Sequence, residues 1–150
     1  MNYIEVNGIK SVTKKMDLES HAIYDKAKYK VIDFYNKLGF NAIENPNIHG
    51  VDLIVNDKDN YFYCEVEVKN NWQGHTFNFP NIYVLSRKKK YFNLQKPTVM
   101  FILNHQWNRG LLLISKDILE CPLREVKNKK VKNGEYFFIV PVEKAKFVNL

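Results

Sequence analysis

The sequence predicts an α/β domain, on three observations. Apolar residues recur at helical spacing between residues 17 and 38. The stretch from 50 to 69 alternates with a period of two instead, as strands do. Beyond it lie apolar runs such as Val99 to Leu103 and Phe137 to Val140, of strand length and too short to span a bilayer. A helix first and strands after suggest one layered α/β unit. With 150 residues, the chain is one domain long and buries about two-thirds of its unfolded surface on folding. It shows no internal repeat and no linker, so residues 1 to 150 are expected to form a single domain.

Taken in order, Asn7-Gly8 between Tyr3-Ile4-Glu5-Val6 and Ile9-Lys10-Ser11-Val12 predicts a short hairpin. Asp17 is a suitable helix N-cap, and Gly39 a suitable terminator after Leu38. Between them Tyr24, Ala27, Val31, Phe34, Tyr35 and Leu38 form an apolar stripe, with Lys26, Lys30, Asp33 and Lys37 largely opposite. Phe40 to Ile43 gives a short strand, broken by Asn45-Pro46-Asn47. Residues 70 to 80 read as an aromatic, amide-rich loop or irregular strand. Ile82 to Leu85 is apolar, and Ser86 could cap a short basic helix through Phe92. Thr98 to Asn104 and Gly110 to Ser115 read as buried strands. Residues 124 to 134 read as a Lys-rich connection, and Glu135 to Val142 as the last strand.

The chemistry concentrates between Gly50 and Lys69. Gly50-Val51-Asp52-Leu53-Ile54-Val55 leads through a polar turn to Tyr61-Phe62-Tyr63-Cys64-Glu65-Val66-Glu67-Val68-Lys69. Alternation sends Phe62, Cys64, Val66 and Val68 to one face, and Glu65, Glu67 and Lys69 to the other. If Asn56 faces Tyr61, Asp52 falls opposite Glu65 and diagonal to Glu67; a shift of two places it opposite Glu67. Carboxylates that close repel unless a cation sits among them, which a divalent metal flanked by Lys69 would supply. A solvated ladder of charges on an exposed hairpin would produce the same alternation.

Net charge is +7, unevenly spread. Residues 1 to 83 hold 9 Lys/Arg against 11 Asp/Glu, whereas residues 84 to 150 hold 14 against 5. A locally acidic site beside a basic surface suits a polyanion such as nucleic acid; Lys-rich surfaces also serve solubility alone. Cys64 and Cys121 lack zinc-like spacing, and Cys64 on the core face reads as a reduced thiol. With no signal peptide visible, an intracellular location is expected, cytoplasmic, nucleoid-associated or phage-encoded in a host cell, without membrane association.

An acid on one strand and Glu-x-Lys on the next, after a helix, resembles the PD-(D/E)XK nuclease superfamily, also called the restriction-endonuclease-like fold. The matching residues are Asp52 in Gly50-Val51-Asp52 and Glu67-Val68-Lys69. The resemblance spans roughly residues 17 to 69 and implies a mixed central β-sheet flanked by helices. It implies Asp52, Glu67 and Lys69 as catalytic residues, with Asp52, Glu67 and the Val68 carbonyl holding Mg²⁺, for which Mn²⁺ could substitute. Hard oxygen ligands suit Mg²⁺, and phosphodiester hydrolysis needs an activated water and neutralised phosphate charge. Glu65 is an additional acid for a second metal or for a lysine pair. Val51 stands where a proline is usual. Many members add a helix acid, for which Glu19 and Asp25 are the candidates and Glu19 is carried forward.

These readings converge on a Mg²⁺-dependent DNA endonuclease of homing, restriction, resolvase or phage type, acting on duplex DNA as a homodimer or larger homo-oligomer. The alternative is a non-catalytic nucleic-acid-binding module of the same fold. Contacts to DNA are expected from Asn70, Asn71, Trp72, Gln73 and His75 in the aromatic loop, and from Arg87, Lys88, Lys89 and Lys90. Phe77 and Phe79 read better as core, and Lys127 to Lys132 as a loop. The histidines are scattered and suggest no metal centre.

Overall fold

The computed structural model describes residues 3–6, 9–12, 15–128 and 131–150, with side chains described for 25–127 and 134–150. The elements are β1 (Tyr3–Val6), β2 (Ile9–Val12), α1 (Lys15–Lys37), β3 (Asn41–Glu44), β4 (Leu53–Asp57), β5 (Asn60–Val68) and β6 (Asn81–Leu85). A 3₁₀ turn (Ser86–Lys88) leads into α2 (Lys89–Phe92), then β7 (Thr98–Leu103), β8 (Arg109–Ile114) and α3 (Ser115–Leu119). The chain closes with β9 (Leu123–Asn128), β10 (Val131–Pro141), a second 3₁₀ turn (Val142–Lys144) and β11 (Lys146–Asn149).

The central sheet has six strands among the described residues, ordered β11-β8-β7-β5-β4-β3. It is mixed: β5 and β7 run parallel, and the other neighbours antiparallel. A three-stranded antiparallel sheet, β6-β10-β9, packs on one face. The mixed sheet flanked by helices is therefore the architecture of this chain.

Helix α1 covers the opposite face. Ala27, Val31 and Tyr35 of the apolar stripe meet Leu53, Val55, Cys64, Val66, Val68, Phe101 and Leu103. Leu38 departs from the stripe and is exposed, because the helix ends at Lys37. The Leu38 and Phe40 N–H groups both donate to the Tyr35 carbonyl, and Gly39 supplies the positive φ (95°) that turns the chain into β3. On the other face Met100, Ile102, Leu111 and Leu113 meet Trp72, Ile82, Val84, Phe92, Ile118, Phe138 and Val140. Strand β7 is thus apolar on both sides, as a central strand must be.

Two expectations are corrected. The Lys-rich stretch from 124 is not a connection but strand β9 and the start of β10. Strand β9 is an edge strand with exposed residues on both faces, so it lacks the alternation that marks a half-buried strand. The last strand is β11, pairing with β8 at the far edge, and not the stretch ending at Val142. Lys129 and Lys130 lie outside the described residues.

Candidate active site

The β4–β5 hairpin fixes the acids. Asp57 pairs with Asn60 around a two-residue turn in which Lys58 takes a positive φ of 54°. Asn56 faces Tyr61 and Leu53 faces Cys64, so Asp52, one step before β4, lies opposite Glu65. Of the two registers considered, this is the one with Glu65 as the partner and Glu67 on the diagonal.

The two acids are laced into each other's strands. Glu65 Oε1 accepts from the Asp52 N–H at 3.1 Å, and Asp52 Oδ2 accepts from the Val66 N–H at 2.8 Å. Each remaining oxygen faces a lysine. Lys88 Nζ donates to Glu65 Oε2 at 2.6 Å, and Lys28 Nζ lies 3.4 Å from Asp52 Oδ1. Lys28 is itself 3.2 Å from Asp25 Oδ1, one helical turn away on α1. The result is a line of charged groups, Asp25, Lys28, Asp52, Glu65 and Lys88, with the two central acids flanked by a lysine on each side, running from α1 across the hairpin to the turn after β6.

Glu65 is 5% exposed and pairs with Met100 on β7. Burial pushes its carboxyl up, Lys88 pulls it back and the Asp52 charge pushes it up again, to about 7. For Lys88, burial works against the ammonium, but Glu65, with Glu67 and Asp52 behind it, raises it above the ordinary lysine value. Lys28 follows the same logic, with Asp52 and Asp25 overcoming burial. Cys64, wholly buried behind the hairpin, is pushed well up by burial and by the two acids, and is an inert core thiol.

The other expected residues fall out as follows. Glu67 lies on the same face as Glu65, paired with Ile102 of β7 and near enough to Lys88 to strengthen its charge. Lys69 does not join the acids: its Nζ donates to the Tyr83 carbonyl of β6 at 3.3 Å. Val68 sits in the α1 core. Of the two helix acids, Asp25 is the one tied to Asp52, through Lys28; the side chain of Glu19 lies outside the described residues. Asn70, Asn71, Gln73 and His75 are exposed, as are Arg87, Lys89 and Lys90. Trp72 is a correction: it is 1% exposed, edge-on to Phe77 and Phe147, and so unavailable to a nucleic acid. Lys88 is likewise engaged by Glu65 and is no free surface cation. Lys28 was not singled out by the sequence; its i,i+3 spacing from Asp25 is the one local signal.

Among the described residues no three His, Cys, Asp or Glu side chains converge on one point. Asp52 and Glu65 nevertheless match the donor set that Mg²⁺ takes from protein, one or two carboxylates with water completing the shell. Burial, with the Asp52 charge adding to it, holds Glu65 near 7, and a divalent cation would offset both. In donor chemistry the pair fits such an ion, in competition with Lys28 and Lys88.

No family model matches this chain, and no curated protein matches it. Among solved structures it is similar to Hjc of Archaeoglobus fulgidus, described as a Holliday junction resolvase from an archaeal hyperthermophile. That likeness has a TM-score of 0.49 and 9% identity, and covers 84% of this chain and 83% of that one. A likeness so distant carries no chemistry from one protein to the other. No helix of the described residues is long and apolar enough to cross a membrane.

Proposed function

We propose that the chain is a divalent-metal-dependent DNA endonuclease centred on Asp52 and Glu65. The observation that carries this reading is the reciprocal lock of the two acids. Each carboxylate accepts a backbone N–H of the other's segment, and so both are held rigidly side by side. Asp52 and Glu65 would hold Mg²⁺, with Glu67 flanking on the same face. An ion bound there neutralises phosphate charge and makes a water nucleophilic near neutral pH. Lys88, already charged beside Glu65, is placed to attract the phosphate as it arrives. Lys28 balances the charge of Asp52, a role that a bound ion would take over. Lys69, which by resemblance would orient the attacking water, reaches β6 instead and is better suited to a backbone phosphate away from the acids. The unequal charge of the chain supports DNA as the polyanion, and cutting both strands favours a symmetric dimer.

The test is incubation with supercoiled, linear, branched and single-stranded DNA, with and without Mg²⁺ or Mn²⁺. Cleavage is expected only with a divalent ion, and Glu65→Gln and Asp52→Asn are each expected to reduce it by about 100-fold or more, the scale of losing an electrostatic contact to a reacting phosphate. One observation favours a second reading. All four oxygens of Asp52 and Glu65 already have protein donors, as in a purely structural ion-pair network. A non-catalytic nucleic-acid-binding module predicts DNA binding without cutting under any divalent ion.

A further inference from the structure

Where β5 ends lies a cleft of about 140 Å³ that the hydrolytic reading does not use. Its walls are Lys69 and Asn71 after β5, Phe77, Phe79 and Pro80 of the following loop, and Asn81 and Tyr83 of β6. Two of its rings face solvent, Phe79 at 41% and Tyr83 at 45% exposure. The others hold them still. Phe77 stands edge-on to Phe79 at 5.2 Å and to the buried Trp72 at 5.2 Å, and Tyr83 leans on Phe137. Exposed aromatic faces on a fixed mount are a costly arrangement for a surface that only meets water.

We propose that this cleft stacks one unpaired nucleobase, so that the substrate is a nucleic acid with a single-stranded segment next to the cut. Three features point to that occupant. The volume is close to the roughly 150 Å³ that accepts a benzene ring, so there is room for one ring system. The aromatic walls offer stacking faces, and the amides of Asn71 and Asn81 offer donors and acceptors for a base edge. Lys69, held on the Tyr83 carbonyl, places a cation at the rim for the adjoining phosphate. The cleft also shares its supports with the acids. Lys69, just past the end of β5, lies four residues beyond Glu65, about 13 Å at strand rise, and β6 runs from Asn81 in the cleft to the turn that carries Lys88. The stacked base therefore sits a few nucleotides from the acids. A one-ring space favours pyrimidines.

This inference rests on the nuclease reading for its substrate, but its test does not require cleavage. Binding of labelled oligothymidine, oligouridine, oligodeoxyadenosine and a short duplex is measured without divalent metal. Phe79→Ala is expected to weaken oligothymidine binding about tenfold, within the range for losing one stacking ring, and duplex binding less than about twofold. Phe79→Trp is expected to restore it, whereas Tyr136→Ala, an exposed aromatic elsewhere on β10, is expected to change nothing. An equal loss with oligouridine extends the cleft to RNA. If Phe79→Ala and Tyr83→Ala, both folded by circular dichroism, bind oligothymidine like the parent, or weaken duplex equally, the cleft proposal falls. Mg²⁺-dependent cleavage that persists in that case leaves the nuclease reading standing. Phe79-dependent binding without any cleavage does the reverse.

Discussion

At the residue scale, Glu65 carries most of the electrostatic tension. Its folded value of about 7 stands well above the ordinary carboxylate value near 4.3. The folded chain therefore holds this proton more tightly than the unfolded chain. The associated stability is fully present below about pH 4 and is lost as pH rises through about 7. For the metal-free protein we expect Tm to fall between about pH 5 and pH 8, and Glu65→Gln to flatten that fall; thermal melts across the range check it. Divalent-ion binding needs the ionised carboxylate, so its affinity should rise over the same interval. The acids themselves were readable from alternation alone. Their partners were not, because Lys28 comes from a helix and Lys88 from a turn 23 residues beyond Glu65, and no local spacing announces such a meeting.

At the element scale, the hairpin register decides what the site is. A slip of two along β5 would set Asp52 against Glu67 and bring Lys69 closer, and the sequence admits both pairings. The two-residue turn at Lys58-Asp59 settles the choice in favour of Glu65. Helix α1 was legible because its stripe is long and periodic, whereas β9 was not, being an edge strand without a buried face. Trp72 teaches the same lesson at one position. Amid asparagines and a glutamine it resembles a surface wedge, yet its indole is enclosed by Phe77 and by Phe147, 75 residues away. Trp72→Ala should therefore cost about 3–5 kcal/mol of stability, as large core aromatics do. Chemical denaturation measures this. A variant that keeps full stability but loses DNA binding would contradict the core assignment. Gly110 offers a second check, on the opposite face of the central sheet, against Phe101. A Cβ there would stand 2.6 Å from the Phe101 ring, so Gly110→Ala should destabilise by about 1–3 kcal/mol.

At the scale of the whole molecule, charge separation and layering work together. The acids lie in the hairpin, while the basic excess follows residue 84 in β6 to β11 and their connections. Arg87, Lys89 and Lys90 remain exposed around the turn that delivers Lys88. Binding to DNA should consequently weaken with salt, with a log–log slope of about −0.9 for each duplex phosphate neutralised. Arg87→Ala and Lys89→Ala should each reduce that slope by about one contact without altering divalent-ion binding, as titrations at several salt concentrations would show.

The account stands on Asp52 and Glu65 jointly holding a divalent cation, and calorimetric titration of Mn²⁺ into the folded chain at about pH 8, above the Glu65 midpoint, tests that most directly. It predicts one ion bound per chain, lost in both Asp52→Asn and Glu65→Gln while the circular dichroism stays that of the parent. Unchanged Mn²⁺ binding in folded protein lacking both carboxylates would contradict it.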